Sequence, residues 1–154
     1  MATVFIVYDS RTGNTGRMAS AIAEGAKSAG AEVVVRKLGE KFSMEELSKA
    51  DAILVGSPTH YASTTAEMRH FLESLDELRK DRKLDLKGKL GGGFGSYGWS
   101  GEALERMAGA ARVLGMNVKF PTLRIVESPG ESDLAKCREF GRSVAEAALR
   151  QAKK

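Results

Sequence analysis

The chain has 154 residues, 42% of them hydrophobic and 29% charged, which is the composition of a folded protein with an ordinary core and excludes a disordered chain. Its 24 Lys and Arg against 20 Asp and Glu leave a net charge of +4, a balance that by itself invites a nucleic-acid or membrane-surface reading. One cysteine, Cys137, excludes an internal disulfide framework and a zinc cluster of paired cysteines, and no apolar run approaches the roughly 20 residues of a membrane span.

Met1-Ala2-Thr3 has no basic n-region, and Val4-Phe5-Ile6-Val7 is too short for a signal core, so a reducing, cytoplasmic setting is expected. Short apolar runs predict five strands, over residues 3–8, 32–36, 52–56, 90–94 and 118–126. Several are continuous Val/Ile/Leu runs, as in strands covered on both faces. Between them lie helical stripes at three- and four-residue spacing. Ser43-Met44-Glu45-Glu46 and Thr64-Thr65-Ala66-Glu67 both match the S/T-x-x-E capping box and mark the starts of the second and third helices. The third helix carries Met68, Phe71, Leu72 and Leu75 on its stripe, and the fourth Leu104, Met107, Ala108, Ala111 and Leu114. The last carries Leu134, Cys137, Gly141, Val144 and Ala148. Repeated strand–helix units with right-handed crossovers predict one α/β domain over 1–154. Its sheet is open, parallel and doubly wound, with helices on both faces.

Ligands of such sheets bind at the carboxyl ends of the strands, near the topological switch point. That singles out the loops 9–16, 57–62, 95–101 and 127–130. In the first, Ser10, Thr12, Asn14 and Thr15 surround Gly13 just before a helix whose free amides favour an anion. No Gly-Lys-Ser/Thr follows, so this is not a Walker loop. A polar turn that caps its own helix has the same composition, and Arg11 is equally placed to assist a phosphate or to face solvent. Tyr61, Tyr97 and Trp99 all fall in the second and third of these loops, which points to a flat ring as ligand. Gly93-Phe94-Gly95-Ser96-Tyr97-Gly98 matches G-x-G-x-x-G but lies on the fourth strand, with bulky residues where a pyrophosphate must approach and no acidic residue at the required distance.

Together these residues resemble a family. Ser10-Arg11-Thr12-Gly13-Asn14-Thr15 resembles the FMN-phosphate loop of flavodoxins, (S/T)-x-T-G-N-T. Gly56-Ser57-Pro58-Thr59 and Gly95-Ser96-Tyr97-Gly98-Trp99-Ser100-Gly101-Glu102 resemble the two flavin-ring loops of the flavodoxin module in flavodiiron proteins. Flavodiiron proteins also carry a metal-binding hydrolase-like domain, for which 154 residues leave no room. With no long insertion in the fifth strand, the chain is similar to a short-chain flavodoxin. The resemblance spans essentially the whole chain. It implies a flavodoxin-like strand order of 2-1-3-4-5, FMN as cofactor and no metal. It also implies that Ser10, Arg11, Thr12, Gly13, Asn14 and Thr15 surround the phosphate. Ser57, Pro58, Thr59, His60 and Tyr61 then border the isoalloxazine on one side, and Gly95, Ser96, Tyr97, Gly98 and Trp99 on the other. The implied function is electron transport: one electron at low potential, FMN cycling between semiquinone and hydroquinone. The partners are redox proteins, a reductase or ferredoxin-type donor and an oxidoreductase acceptor, with no nucleic acid and no membrane. An NAD(P)H-dependent quinone or flavin reductase on the same fold is the alternative.

Two features depart from the family. Many flavodoxins have a Gly in the third-strand loop whose peptide turns to meet the reduced ring; Thr59-His60-Tyr61-Ala62 holds none, so weaker semiquinone stabilisation is expected. Flavodoxins are also typically acidic. The excess of basic residues here is confined to 79–89, which joins the third helix to the fourth strand at the amino ends, opposite the cofactor. On the cofactor side Asp9, Glu67, Glu102, Glu127 and Glu131 stand against Arg11 and Arg17, so a mildly acidic working face is expected, which lowers the hydroquinone potential. A response-regulator receiver is excluded, because the third strand ends in Gly56-Ser57 and the fifth in Glu127. His60 is expected near the flavin without a catalytic role, His70 on the surface and Cys137 in the core.

Overall fold

The computed structural model describes residues 1–60, 63–98 and 101–152. Its elements in chain order are β1 (Thr3–Tyr8), α1 (Asn14–Ser28), β2 (Glu32–Lys37), α2 (Met44–Lys49), β3 (Ala52–Gly56), β4 (Thr59–His60), β5 (Ser63–Thr64), α3 (Ala66–Lys80), β6 (Leu90–Tyr97), α4 (Glu102–Val113), β7 (Leu123–Val126) and α5 (Glu131–Ala152). Five strands form one sheet in the order β2-β1-β3-β6-β7, all pairs parallel. Numbered within that sheet, this is the expected 2-1-3-4-5. Alternation along β1 divides the core in two. Val4 and Ile6 pack with Met18 and Ile22 of α1 and Cys137 and Val144 of α5. Phe5 and Val7 pack on the other face with Leu47, Met68, Leu72, Leu104 and Met107 of α2, α3 and α4. Among the described residues, no helix is long and apolar enough to cross a membrane.

Both distal strands depart from expectation. β6 does not stop at Phe94 but runs to Tyr97, because β7 pairs only with its second half, from Phe94↔Leu123 to Tyr97↔Val126. Gly95, Ser96 and Tyr97 are therefore strand residues and not the start of a loop. The fifth strand, expected over 118–126, forms only from Leu123. Pro121 has no N–H for the ladder, and Phe120 turns to meet Phe140 of α5 edge-on, ring centroids 6.2 Å apart. The capping box of α2 forms as read, Ser43 and Glu46 satisfying each other's amides. That of α3 does not. Thr64 is drawn into a hairpin opposite Thr59, so Thr65 is the cap and accepts from the Met68 N–H at 3.2 Å.

The basic segment lies at the amino ends of the strands, anchored by buried Leu84 and Leu86. Several of its charges are structural. Arg79 and Lys80 both pair with Asp76, at 2.8 and 3.3 Å, and Lys89 Nζ donates to the carbonyls of Ser48 and Ala50, both at 2.6 Å. Arg82, Lys83 and Lys87 are exposed.

Candidate functional site

The first loop is built around its hydroxyl. Ser10 Oγ accepts from the N–H of Gly13 at 3.2 Å and of Gly16 at 3.3 Å, and Asp9 Oδ1 accepts from the Ser10 N–H at 2.9 Å. The closure needs Gly13, whose φ of 91° lies in the left-handed region. Gly13 is also the N-cap of α1 and has no side chain to cap it; the Ser10 hydroxyl takes the Gly16 amide of the first turn instead, and that turn contains no acidic residue. α2 and α3 by contrast are capped by their own N-cap residues, Ser43 and Thr65, and open on glutamates. The loop caps its helix only in part. Among the described residues it leaves the Asn14 and Thr15 amides to an outside acceptor, where the helix dipole favours negative charge.

Beside that helix start lies a cleft of about 180 Å³ lined by Thr12, Asn14, Pro58, Thr59, Ser96, Tyr97, Gly98 and Glu127. The first, third and fourth sheet strands thus bring their expected residues together. Thr15 is buried, and its hydroxyl lies 3.2 Å from Ser96 Oγ, tying the first loop to the end of β6. Ser57 is fully buried; its hydroxyl donates to the Pro58 carbonyl at 2.9 Å and accepts from the Thr65 N–H at 3.1 Å. It shapes the loop from within. Gly95 of β6 lies close against the loop after β3, since a Cβ there would lie 2.1 Å from the Ser57 carbonyl oxygen.

The cleft fits FMN, the group that the sequence resemblance implies. A helix start with open amides at Asn14 and Thr15, bordered by Thr12, suits the phosphate. Thr59 Oγ1 is buried with no hydrogen-bond partner among the described residues, and such an orphan costs about 1–3 kcal/mol unless a ligand satisfies it.

Other expectations change. Of its two expected courses Arg11 takes the solvent one: it is exposed, and there pairs with Glu67 at 3.3 Å, bridging the first loop to α3. Arg17 reaches Ser128 Oγ at 3.2 Å and the Pro129 carbonyl at 3.0 Å, clamping the loop after β7. Glu127 was legible only as a charge; it lines the cleft from a left-handed backbone, φ 56°. Carboxylates on this side are answered by arginines in the pairs Arg11–Glu67, Arg106–Glu102 and Arg124–Glu105. The His60 backbone pairs with Ser63; Tyr61 and Trp99 lie outside the described residues. His70 is exposed beside Glu73 at 4.0 Å. Cys137 is buried, and burial pushes its thiol up to about 11.

The Flavodoxin family profile matches residues 6–141. Among solved structures, a flavodoxin from the domain Archaea aligns with a TM-score of 0.87 at 37% identity, covering 96% of this chain and 99% of that one. The rubredoxin oxygen:oxidoreductase of Desulfovibrio gigas aligns with a TM-score of 0.88 at 28% identity, covering 99% of this chain and 37% of that one. A flavodoxin of Aquifex aeolicus is 30% identical, over 95% of this chain and 86% of its own length. Three other curated relatives, 38%, 34% and 33% identical, are much longer, and this chain spans 35%, 26% and 33% of their lengths.

Proposed function

The chain belongs to the flavodoxin family, and from that premise we propose that it carries single electrons at low potential between separate redox proteins of the cytoplasm. It is an FMN-binding, flavodoxin-type electron carrier; the single-electron traffic, the potential and the location are the proposal. FMN supplies the redox chemistry, since its ring takes up and releases electrons one at a time.

The protein's residues bind and orient that group, within one FMN-binding domain over 1–154. The observation that carries the reading is the acid-free start of α1, with its Asn14 and Thr15 amides open beside the cleft between β3 and β6. In this reading the first amides of α1 hold the phosphate with Ser10, Thr12, Asn14 and Thr15, and Arg11 guards the loop through Glu67. Pro58, Thr59 and His60 border the ring on one side, with Ser57 setting their loop. Gly95, Ser96, Tyr97 and Gly98 form the other side; Tyr61 and Trp99 are assigned to the two sides by sequence alone. β4 and β5 pair Thr59 with Thr64 and His60 with Ser63, which holds that backbone and opposes a peptide flip toward the ring. Photoreduction followed by visible absorbance is therefore expected to show little of the half-reduced flavin, and nearly full accumulation would overturn this point.

The purified protein is expected to be yellow, to show an FMN spectrum, and to keep it when NADH or NADPH is added alone. Bleaching should require a separate reductase or a reduced ferredoxin. Direct bleaching by NAD(P)H in the presence of a quinone would overturn the carrier in favour of a reductase, and a colourless protein that takes up no added FMN would overturn the site.

A further inference from the structure

A groove of about 240 Å³ runs between α3 and α4 beside the β4–β5 hairpin. Its floor is apolar, from Leu72, Ala103 and Met107, and its walls carry two cations, Arg69 and Arg106, against one carboxylate, Glu73. Arg69 is held in place by its own neighbours: Nη1 donates to Ser63 Oγ at 2.9 Å and to the Thr64 carbonyl. Those bonds fix the guanidinium without neutralising it, and among the described residues no carboxylate forms a salt bridge with it. Arg106 meets Glu102 only at 3.9 Å with its side chain 67% exposed. The groove is one hairpin away from the flavin cleft, because Thr64, on its wall, pairs with Thr59, in the cleft.

Resting on the carrier reading, we propose that this groove is the docking site of an acidic redox protein. The partner seats an apolar side chain on Leu72 and Met107 and sets a carboxylate between Arg69 and Arg106. Charge decides the occupant. A second copy, meeting this patch with its own, would set two arginines and one glutamate against the same set, a net positive surface against its like, and two chains of +4 repel. An acidic protein is drawn by the net charge at long range and matched by the two guanidiniums at contact. The exposed cations Arg82, Lys83 and Lys87 are the competing surface. A partner bound there would face the amino ends of the strands, with the eight residues of β6 (about 26 Å) between it and the cofactor edge.

The test uses a small acidic ferredoxin as probe, titrated at low ionic strength into the FMN-loaded, 15N-labelled protein. Resonances of α3 and α4 are expected to shift. Arg106→Glu, an exposed change that the fold tolerates, is expected to weaken binding roughly tenfold. Ala110→Phe, which fills the groove without changing charge, should weaken it comparably, with FMN content and melting temperature confirming a native fold. The double change Lys83→Glu, Lys87→Glu should leave affinity within about twofold. The proposal is overturned if the double change weakens binding more than the groove variants do, if Arg106→Glu leaves it unchanged, or if the ferredoxin does not bind. Those results leave a yellow, reducible protein intact, whereas failure of the carrier reading shows in the flavin spectrum whatever the ferredoxin does.

Discussion

Placing a methyl group on Gly95 tests whether the two ring-side loops are held together as tightly as the geometry states. The added Cβ would lie 2.1 Å from the Ser57 carbonyl oxygen and 2.7 Å from Leu104 Cδ2. Leu104 can change rotamer. The Ser57 carbonyl cannot swing away cheaply, because the Ser57 N–H donates to the Phe94 carbonyl at 3.2 Å and its hydroxyl is bonded on both sides. Relief requires the 57–59 backbone to move about 1 Å away from β6. Overpacking against backbone falls in the upper part of the usual range, about 2–3 kcal/mol, which for a chain of this size lowers the melting temperature by ~5–10 °C. The same displacement carries Pro58 and Thr59 out of position, so FMN affinity should fall by about tenfold or more. Circular-dichroism melts of the FMN-free protein read the first effect, and quenching of FMN fluorescence on titration reads the second. Gly109→Ala is the control: it meets nothing within 4 Å and stands inside α4, where alanine is the better helix former by about 1 kcal/mol. If Gly95→Ala melts and binds FMN like the parent protein, or if Gly109→Ala costs as much, the packing argument is wrong.

Ser10→Ala removes the acceptor of the Gly13 and Gly16 amides; FMN affinity should fall by roughly tenfold to thirtyfold, and the FMN-free chain should melt a few degrees lower, since the first turn of α1 loses a cap worth about 1 kcal/mol. Glu127→Gln removes a carboxylate at the cleft edge and should raise the potential of the fully reduced flavin by a few tens of millivolts, read by dye-equilibrated reduction and lessened by salt. An unchanged potential would remove Glu127 from the flavin's surroundings. For Cys137, burial raises the folded-state pKa to about 11. Its contribution to stability is whole below the unfolded thiol pKa of roughly 8.5. It is lost as pH rises towards 11, because only the unfolded chain ionises in that window. Urea midpoints should fall over that range and flatten in Cys137→Ala. A parent profile as flat as the variant's would refute the assignment.

The residues of β1, β3 and most of β2 were legible because a strand covered on both faces must be apolar throughout, and that requirement is written locally. The capping box at Ser43 was legible for the same reason: its two partners are three residues apart. So was the tight turn before α1, whose Ser10 and Gly13 lie three residues apart. Where strands end was not legible. β6 continues through Gly95 because β7 lies alongside its second half, and β7 begins late because Phe120 finds Phe140 on α5. Nor could the sequence distribute the side chains' allegiances. Ser57 was expected to border the ring, and the sequence could not show that its hydroxyl is bonded into its own loop; Arg11 was expected at a phosphate or in solvent, and the sequence could not show that it joins Glu67, 56 positions away. The charges show the same division: no count of residues in loops could show that Arg11 pairs with Glu67 or Arg124 with Glu105. Sequence by itself determined the periodicities, and with them the fold class and the loops that meet at the cleft. Tertiary structure alone decided strand lengths, strand pairings and the partners of the charges, because each depends on residues far apart along the chain.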